Sequence, residues 1–316
     1  MSHFTVLVAA NDEAQLQERL IPFYEYGCSS QMDELVRPWL VFDNVEEACR
    51  AEYETGTVKR VILPDGEQVS PYDKRWLVVK EGRDLFSSQE YVVPGEYEQR
   101  GVKFTEVYPT LEAFIEQYHG YTSDPALGYG RWFNPRAKWD WYSVGGRWDG
   151  ILALKNGNSA NSALASDVNW KLMEHKRVRD ARRDWAQFDK TLTLVGETAE
   201  TFLQKTQDER RAIIDSLRTA LYDNGNKSPD SKTSDRYIRA VLFDPMGKTR
   251  AEHIEAFRNR ALTYAFIDTK GEWHARGKMG WWAVSYNEKD NYDVDFWAFI
   301  NSLDPAQMVY VVDCHI

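Results

Sequence analysis

The chain ends in MVYVVDCHI (residues 308–316), and near its start stands HFTVLVAA (residues 3–10). Both runs are short, apolar and rich in β-branched residues, and Asn11 and Asp12 close the first, so each reads as a buried strand. A final strand with no polar tail is expected to be paired, because fraying would return its apolar side chains to water. The two ends therefore predict one sheet, and the fold class that follows is α+β with a mixed or antiparallel sheet core formed by both ends of the chain.

Working inward, Asn11 or Asp12 caps a helix over 13–20, and Asn44 with Glu47 has capping-box spacing for a helix over 44–54 that Gly56 closes. Residues 59–70 predict a strand and a turn at Pro64-Asp65-Gly66, WLVVK (76–80) a short strand, and 111–118 a helix with Leu111, Phe114, Ile115 and Tyr118 on one stripe. ILALK (151–155) reads as a strand, and NGNSANSALAS (156–166) has linker composition. Charged helical patterns follow at 173–185 and 206–222, the latter opened by a Thr206/Glu209 capping box, and DNGNKSPDSKTSD (223–235) reads as a polar loop. Strand character returns at 262–268 in a hairpin with EWHARG, and NYDVDFWAFINSL (291–303) predicts a helix burying Phe296, Trp297, Phe299 and Ile300. The organisation expected is an α+β core of residues 1–155 and 261–316, with 156–260 as a mainly helical insertion.

Composition limits the function. The 316 residues carry 39 Lys and Arg against 49 Asp and Glu, a net charge of -10, and 14% aromatics. An acidic folded chain lacks the basic face that non-specific binding to DNA or a membrane surface needs, so a nucleic-acid partner and a membrane are both disfavoured. Cys28, Cys49 and Cys314 are too few and too widely spaced for a disulfide framework or a CxxC site, and the amino-terminal run lacks a basic flank. A soluble, cytoplasmic chain with reduced thiols is expected, and a homo-oligomer is compatible with this composition.

Two groups of residues stand out as candidate sites. GYGRWFNPRAKWDWYSVGGRWDG (128–150) holds five glycines, four tryptophans, three arginines and a lysine. Alternation places Trp139 and Trp141 on one strand face and Asp140 and Tyr142 on the other. Gly145 and Gly146 suit either a hairpin turn or a backbone nest for an anion, with Arg147 and Trp148 beside them as cation and aromatic face. In one reading the tryptophans are core and Arg147 pairs with an aspartate. In the other, Trp139, Trp141, Tyr142, Gly145, Gly146, Arg147 and Trp148 bind a ligand or partner. The second group is His3, Asp313 and His315: if the end strands are neighbours, His3 approaches the other two, which share a face at i and i+2. Two imidazoles and a carboxylate suit acid–base work or a divalent ion, although no HExxH, HxH or CxxC spacing makes a metal specific, so no metal and no cofactor are assigned. Cys314 points away from His315. A basic run, KRVRDARRD (176–184), also carries Asp180 and Asp184, which favours ion pairing along a solvated helix. GxxxxGK[ST], a helix-opening GxGxxG, GxSxG and the kinase motifs are all missing.

The strings MSHFTVLV (1–8), NPRAKWDWYSVGGRWDG (134–150) and VVDCHI (311–316), with YPTLEAFIEQYHGY (108–121) and RGKMGWW (276–282), resemble an uncharacterised family of proteins from bacteriophages and bacterial mobile elements. The resemblance spans the chain but carries no assigned activity, so it transfers no catalytic residue. It implies a phage-encoded accessory protein acting in the host cytoplasm. The expected function is binding of a host factor, a host protein of antiviral defence, with Trp139, Trp141, Arg147 and Trp148 as anchors. The alternative is an enzyme or a sponge acting on a nucleotide or other phosphorylated small molecule, with His3, Asp313 or His315 doing acid–base work.

Overall fold

The computed structural model describes residues 3–79, 89–222, 243, 247, 249–279 and 285–316. The expected loop at 223–235, Lys80 of the expected strand and residues 280–282 of the RGKMGWW string lie outside the described residues.

The two ends of the chain pair. Strand β1 (His3–Ala9) runs antiparallel to β6 (Met308–His315), with His3 opposite His315 and Ala9 opposite Val309. On its other side β1 pairs in parallel with β4 (Ala265–Ile267), which continues antiparallel into β5 (Trp273–Ala275). The free edge of β6 receives two short strands in succession, β2 (Trp141–Val144) beside residues 312–315 and β3 (Ser162–Leu164) beside 308–310. The result is a mixed six-stranded sheet of an α+β fold. Between β2 and β3 the ladder is bridged at one residue: Gly145 N–H donates to the Val311 carbonyl at 2.9 Å, and Val311 N–H donates to Asn161 O at 2.8 Å.

Both faces of this sheet are covered, which explains why its central strands are apolar throughout rather than alternating. One face sends Leu7, Ala9, Phe266, Val309 and Val311 into a core shared with Phe296, Phe299 and Ile300 of helix α5 (Tyr292–Ser302). Trp297, expected in this core, is only half-buried. The opposite face carries Phe4, Val6, Val8, Val312 and Cys314, all buried. Helix α1 (Glu13–Leu20) begins at Asp12, whose side chain accepts from Gln15 N–H.

The helical segment has a core of its own. Helix α2 (Trp170–Leu192) turns Met173 into the sheet core, while its far end packs Trp185, Phe188 and Leu192 against Phe202, Leu203 and Leu217. Helix α3 (Gln207–Tyr222) opens with the expected capping pair, Thr206 N–H donating to Glu209 at 2.7 Å. Helix α4 (Arg250–Asn259) packs on α2. In the basic run, Arg183 pairs with Asp180 at 3.1 Å, an i,i+3 contact in place of the i,i+4 spacing expected.

Contacts divide the chain into two compact units, residues 1–24 with 138–316, and residues 25–137. These boundaries differ from the expected 1–155, 156–260 and 261–316. The linker-like stretch after residue 156 returns to the sheet as β3, so it belongs with the core strands. Residues 25–137 form small antiparallel sheets, Val41–Asn44 with Gly128–Phe133 and Thr57–Ile62 with Glu98–Lys103, around a core of Phe104, Tyr108, Phe114 and Ile115. Here the helix expected over 44–54 runs Glu46–Thr55, and Asn44 is the last residue of a strand whose side chain accepts from Glu46 N–H. Among the described residues no helix is long and apolar enough to cross a membrane.

Of the three cysteines, Cys28 is exposed while Cys49 and Cys314 are buried. Burial pushes the Cys314 thiol well above its ordinary range, and the nearby Asp313 and Asp140 charges add to this. The folded protein should therefore show one fast thiol towards a disulfide reagent, and the other two only in denaturant. Equal reactivity of all three in native buffer would contradict this burial.

Candidate acid–base site

Pairing of β1, β6 and β2 merges the two candidate groups into one. Directly opposed residues of neighbouring strands share a face, so His3, His315 and Trp141 lie side by side, with Thr5, Asp313 and Ser143 in the next row. His3 Nδ1 is 2.8 Å from Asp313 Oδ1, and His315 Nδ1 is 2.6 Å from Asp140 Oδ1. The imidazole centroids are 5.0 Å apart and the rings meet edge to face. Trp141 stacks on His315, with centroids 5.8 Å apart and planes at 14°, and meets the edge of His3 at 5.6 Å.

Each imidazole is held by its own carboxylate. An ionised carboxylate only accepts, so the ring nitrogen facing it must carry the hydrogen, which leaves Nε2 as the lone-pair atom of a neutral ring. His315 Nε2 is buried and has no hydrogen-bond partner among the described residues. Asp140 grips His315 twice, since its backbone N–H also donates to the His315 carbonyl at 3.0 Å.

Asp313 is fixed in turn by the glycine turn. Its side chain is 2% exposed, and its second oxygen accepts from the Arg147 backbone N–H at 2.9 Å. The anion nest expected at Gly145-Gly146-Arg147 therefore encloses a carboxylate of the protein itself. Gly145 (φ +79°) and Gly146 (φ +54°) both lie in the left-handed region, and a Cβ on Gly146 would overlap the Asp313 carboxylate and the Ser143 hydroxyl. Asn161 locks the far side of the turn: its side chain accepts from Gly150 N–H at 2.6 Å and donates to Asp149 at 2.7 Å.

The remaining expected residues divide between core and surface. Trp139 is 0% exposed, its indole N–H donates to the Leu20 carbonyl, and its ring touches Tyr24 and Tyr142. It does not share the Trp141 face, because regular pairing of β2 begins only at Trp141, and Trp139 instead bridges to Tyr24. Tyr142 lies opposite Cys314, half-buried, and desolvation raises its hydroxyl pKa. Trp148 packs against the sheet core. Trp141 is 46% exposed, and Arg147 is exposed with no ion pair from its guanidinium among the described residues. The buried pair expected between Arg147 and an aspartate is thus made by its amide, and the guanidinium is left at the surface. Three participants escaped sequence reasoning: Asp140 as the partner of His315, Ser143 and Asn161. Among the described residues no group of three His, Cys, Asp or Glu side chains converges as a metal site, since the two histidines spend their Nδ1 atoms on separate carboxylates.

Comparison of the chain with protein-family models, with curated proteins and with solved structures finds no match.

The turn makes a stability prediction. Gly146→Ala should destabilise by about 3 kcal/mol, combining a left-handed Cβ with overlap against Asp313. Gly157→Ala, where φ is +90° but the Cβ site is open, should lose only about 1–2 kcal/mol. Urea unfolding of both variants checks this, and equal losses would contradict the close approach at Gly146.

Proposed function

We propose that the His3–Asp313 and His315–Asp140 pairs form an acid–base centre acting on a phosphoester of nucleotide class. The observation that carries this reading is the pair of adjacent imidazoles, centroids 5.0 Å apart, each anchored through Nδ1 to its own carboxylate. That arrangement fixes ring orientation and tautomer and leaves Nε2 as the basic nitrogen of each neutral ring. In the reaction, one Nε2 takes a proton from the attacking water or hydroxyl as its oxygen bonds to phosphorus. The other, protonated, gives its proton to the ester oxygen as that bond breaks. Two features support the ligand class: the exposed Trp141 suits a planar base, and the Arg147 guanidinium, exposed and without an ion pair among the described residues, suits a phosphate.

The strings at 1–8, 134–150 and 311–316 supply His3, Asp140, Trp141, Arg147, Asp313 and His315. Their resemblance to phage and mobile-element proteins supports an accessory role in the host cytoplasm, where removing or altering a nucleotide would counter a defence that depends on it. A host-protein interface draws support from Trp141 and Arg147, while Trp139 is fully buried and Trp148 packs against the core under α5.

The test is turnover of bis(4-nitrophenyl) phosphate and of a panel of nucleotides by the full chain. His3→Gln and His315→Gln should each lower the rate by about 100-fold or more, and the wild-type pH profile should be bell-shaped. Circular dichroism checks that both variants fold. Absence of turnover on every probe, or rates unchanged in both variants, would overturn the proposal.

A further inference from the structure

A cleft within the unit of residues 1–24 and 138–316 shares no residue with the histidine cluster. It has a volume of about 790 Å³ and is bounded by the start of α2, the end of α4 and α5. Its charge is unlike that of the chain as a whole, which is net -10. Lys155, Lys171, Arg177 and Arg258 line it against one acid, Glu174. Glu174 pairs with Arg258 at 3.6 Å, and Arg258 also reaches Glu255 at 3.2 Å. Lys155 and Lys171 are exposed and make no ion pair among the described residues.

Arg177 lines the cleft and is tied to the backbone of α4. Its Nε and Nη2 donate to the Phe257 and Arg258 carbonyls at 3.3 Å each, and its Nη1 is buried with no partner among the described residues. Its guanidinium lies 5.2 Å from the centre of the Trp297 ring. Trp297 is fixed by its indole N–H, which donates to the Asn259 carbonyl at 2.7 Å, and Trp170 meets it edge-on at 6.2 Å. The amino terminus of α2, 23 residues long, adds its dipole to the same side.

From this cleft we infer a binding site for a mononucleotide, separate from the acid–base centre. The volume lies in the range of sites for small organic ligands. The two indoles supply apolar walls for a planar base, and Lys155 and Lys171, without an ion pair among the described residues, supply the charge for a phosphate.

Isothermal titration of the full chain with the four ribonucleoside 5′-monophosphates, the matching nucleosides and inorganic phosphate tests the site. At least one monophosphate should bind, with its nucleoside and inorganic phosphate each weaker by about tenfold or more. Lys155→Glu with Lys171→Glu should weaken that monophosphate by about tenfold or more, while His3→Gln with His315→Gln should leave it unchanged. Should the charge reversal unfold the chain, the milder K155A/K171A pair serves the same purpose. Binding of none of the four monophosphates, or equal affinity in the lysine variants, would overturn the inference. Loss of binding only in the histidine variants would place the nucleotide at the acid–base centre and overturn it as well.

Discussion

Seven residues of β1 pair with seven of β6, so that His3 faces His315 and Thr5 faces Asp313 across a single ladder. That register is pinned by burial on both faces: a slip of one residue would exchange Leu7 and Ala9 with Val6 and Val8, each of which fills a different core. The same slip would turn His3 to the Cys314 side of the sheet, away from His315. The geometry of the candidate site is therefore enforced by the packing of the sheet several residues away.

A second constraint builds on the first. β2 leaves the edge of β6 at Val144, the chain makes an excursion, and it returns as β3, with only Val311 between the two paired segments. The excursion opens with two left-handed glycines because the backbone must pass directly over Asp313 there. Arg147 N–H then satisfies one carboxylate oxygen while His3 satisfies the other. A buried carboxylate with two donors is stabilised in place, whereas one with neither would be costly. The guanidinium of Arg147 itself stays at the surface.

Much of this frame is legible in the sequence. A strand buried on both faces reads as a continuous apolar run, which is why HFTVLVAA and MVYVVDCHI identify themselves, and Asp12 and Thr206 mark helix starts because their side chains accept the first free amides. Periodicity fails where tertiary pairing decides. Trp139 and Trp141 are two apart, yet one is core and the other surface, because the regular pairing of β2 starts between them. Asn161 sits in a stretch of linker composition although its main chain completes the central ladder. Residues 25–137 form a unit without any break in composition at either end. Asp140 could be read only as a neighbour of two tryptophans, since its bond to His315 depends on the pairing of strands 175 residues apart.

The central claim is that two carboxylates orient two neighbouring imidazoles so that Nε2 is the basic nitrogen of both rings. Nitrogen-15 NMR of the histidine rings, at a pH where they are neutral, reads this directly. The account predicts His3 and His315 in the Nδ1–H tautomer, with both Nδ1 protons hydrogen-bonded and Asp140→Asn altering the His315 signal alone. Either ring in the Nε2–H form, or an Asp140→Asn spectrum identical to wild type, would contradict it.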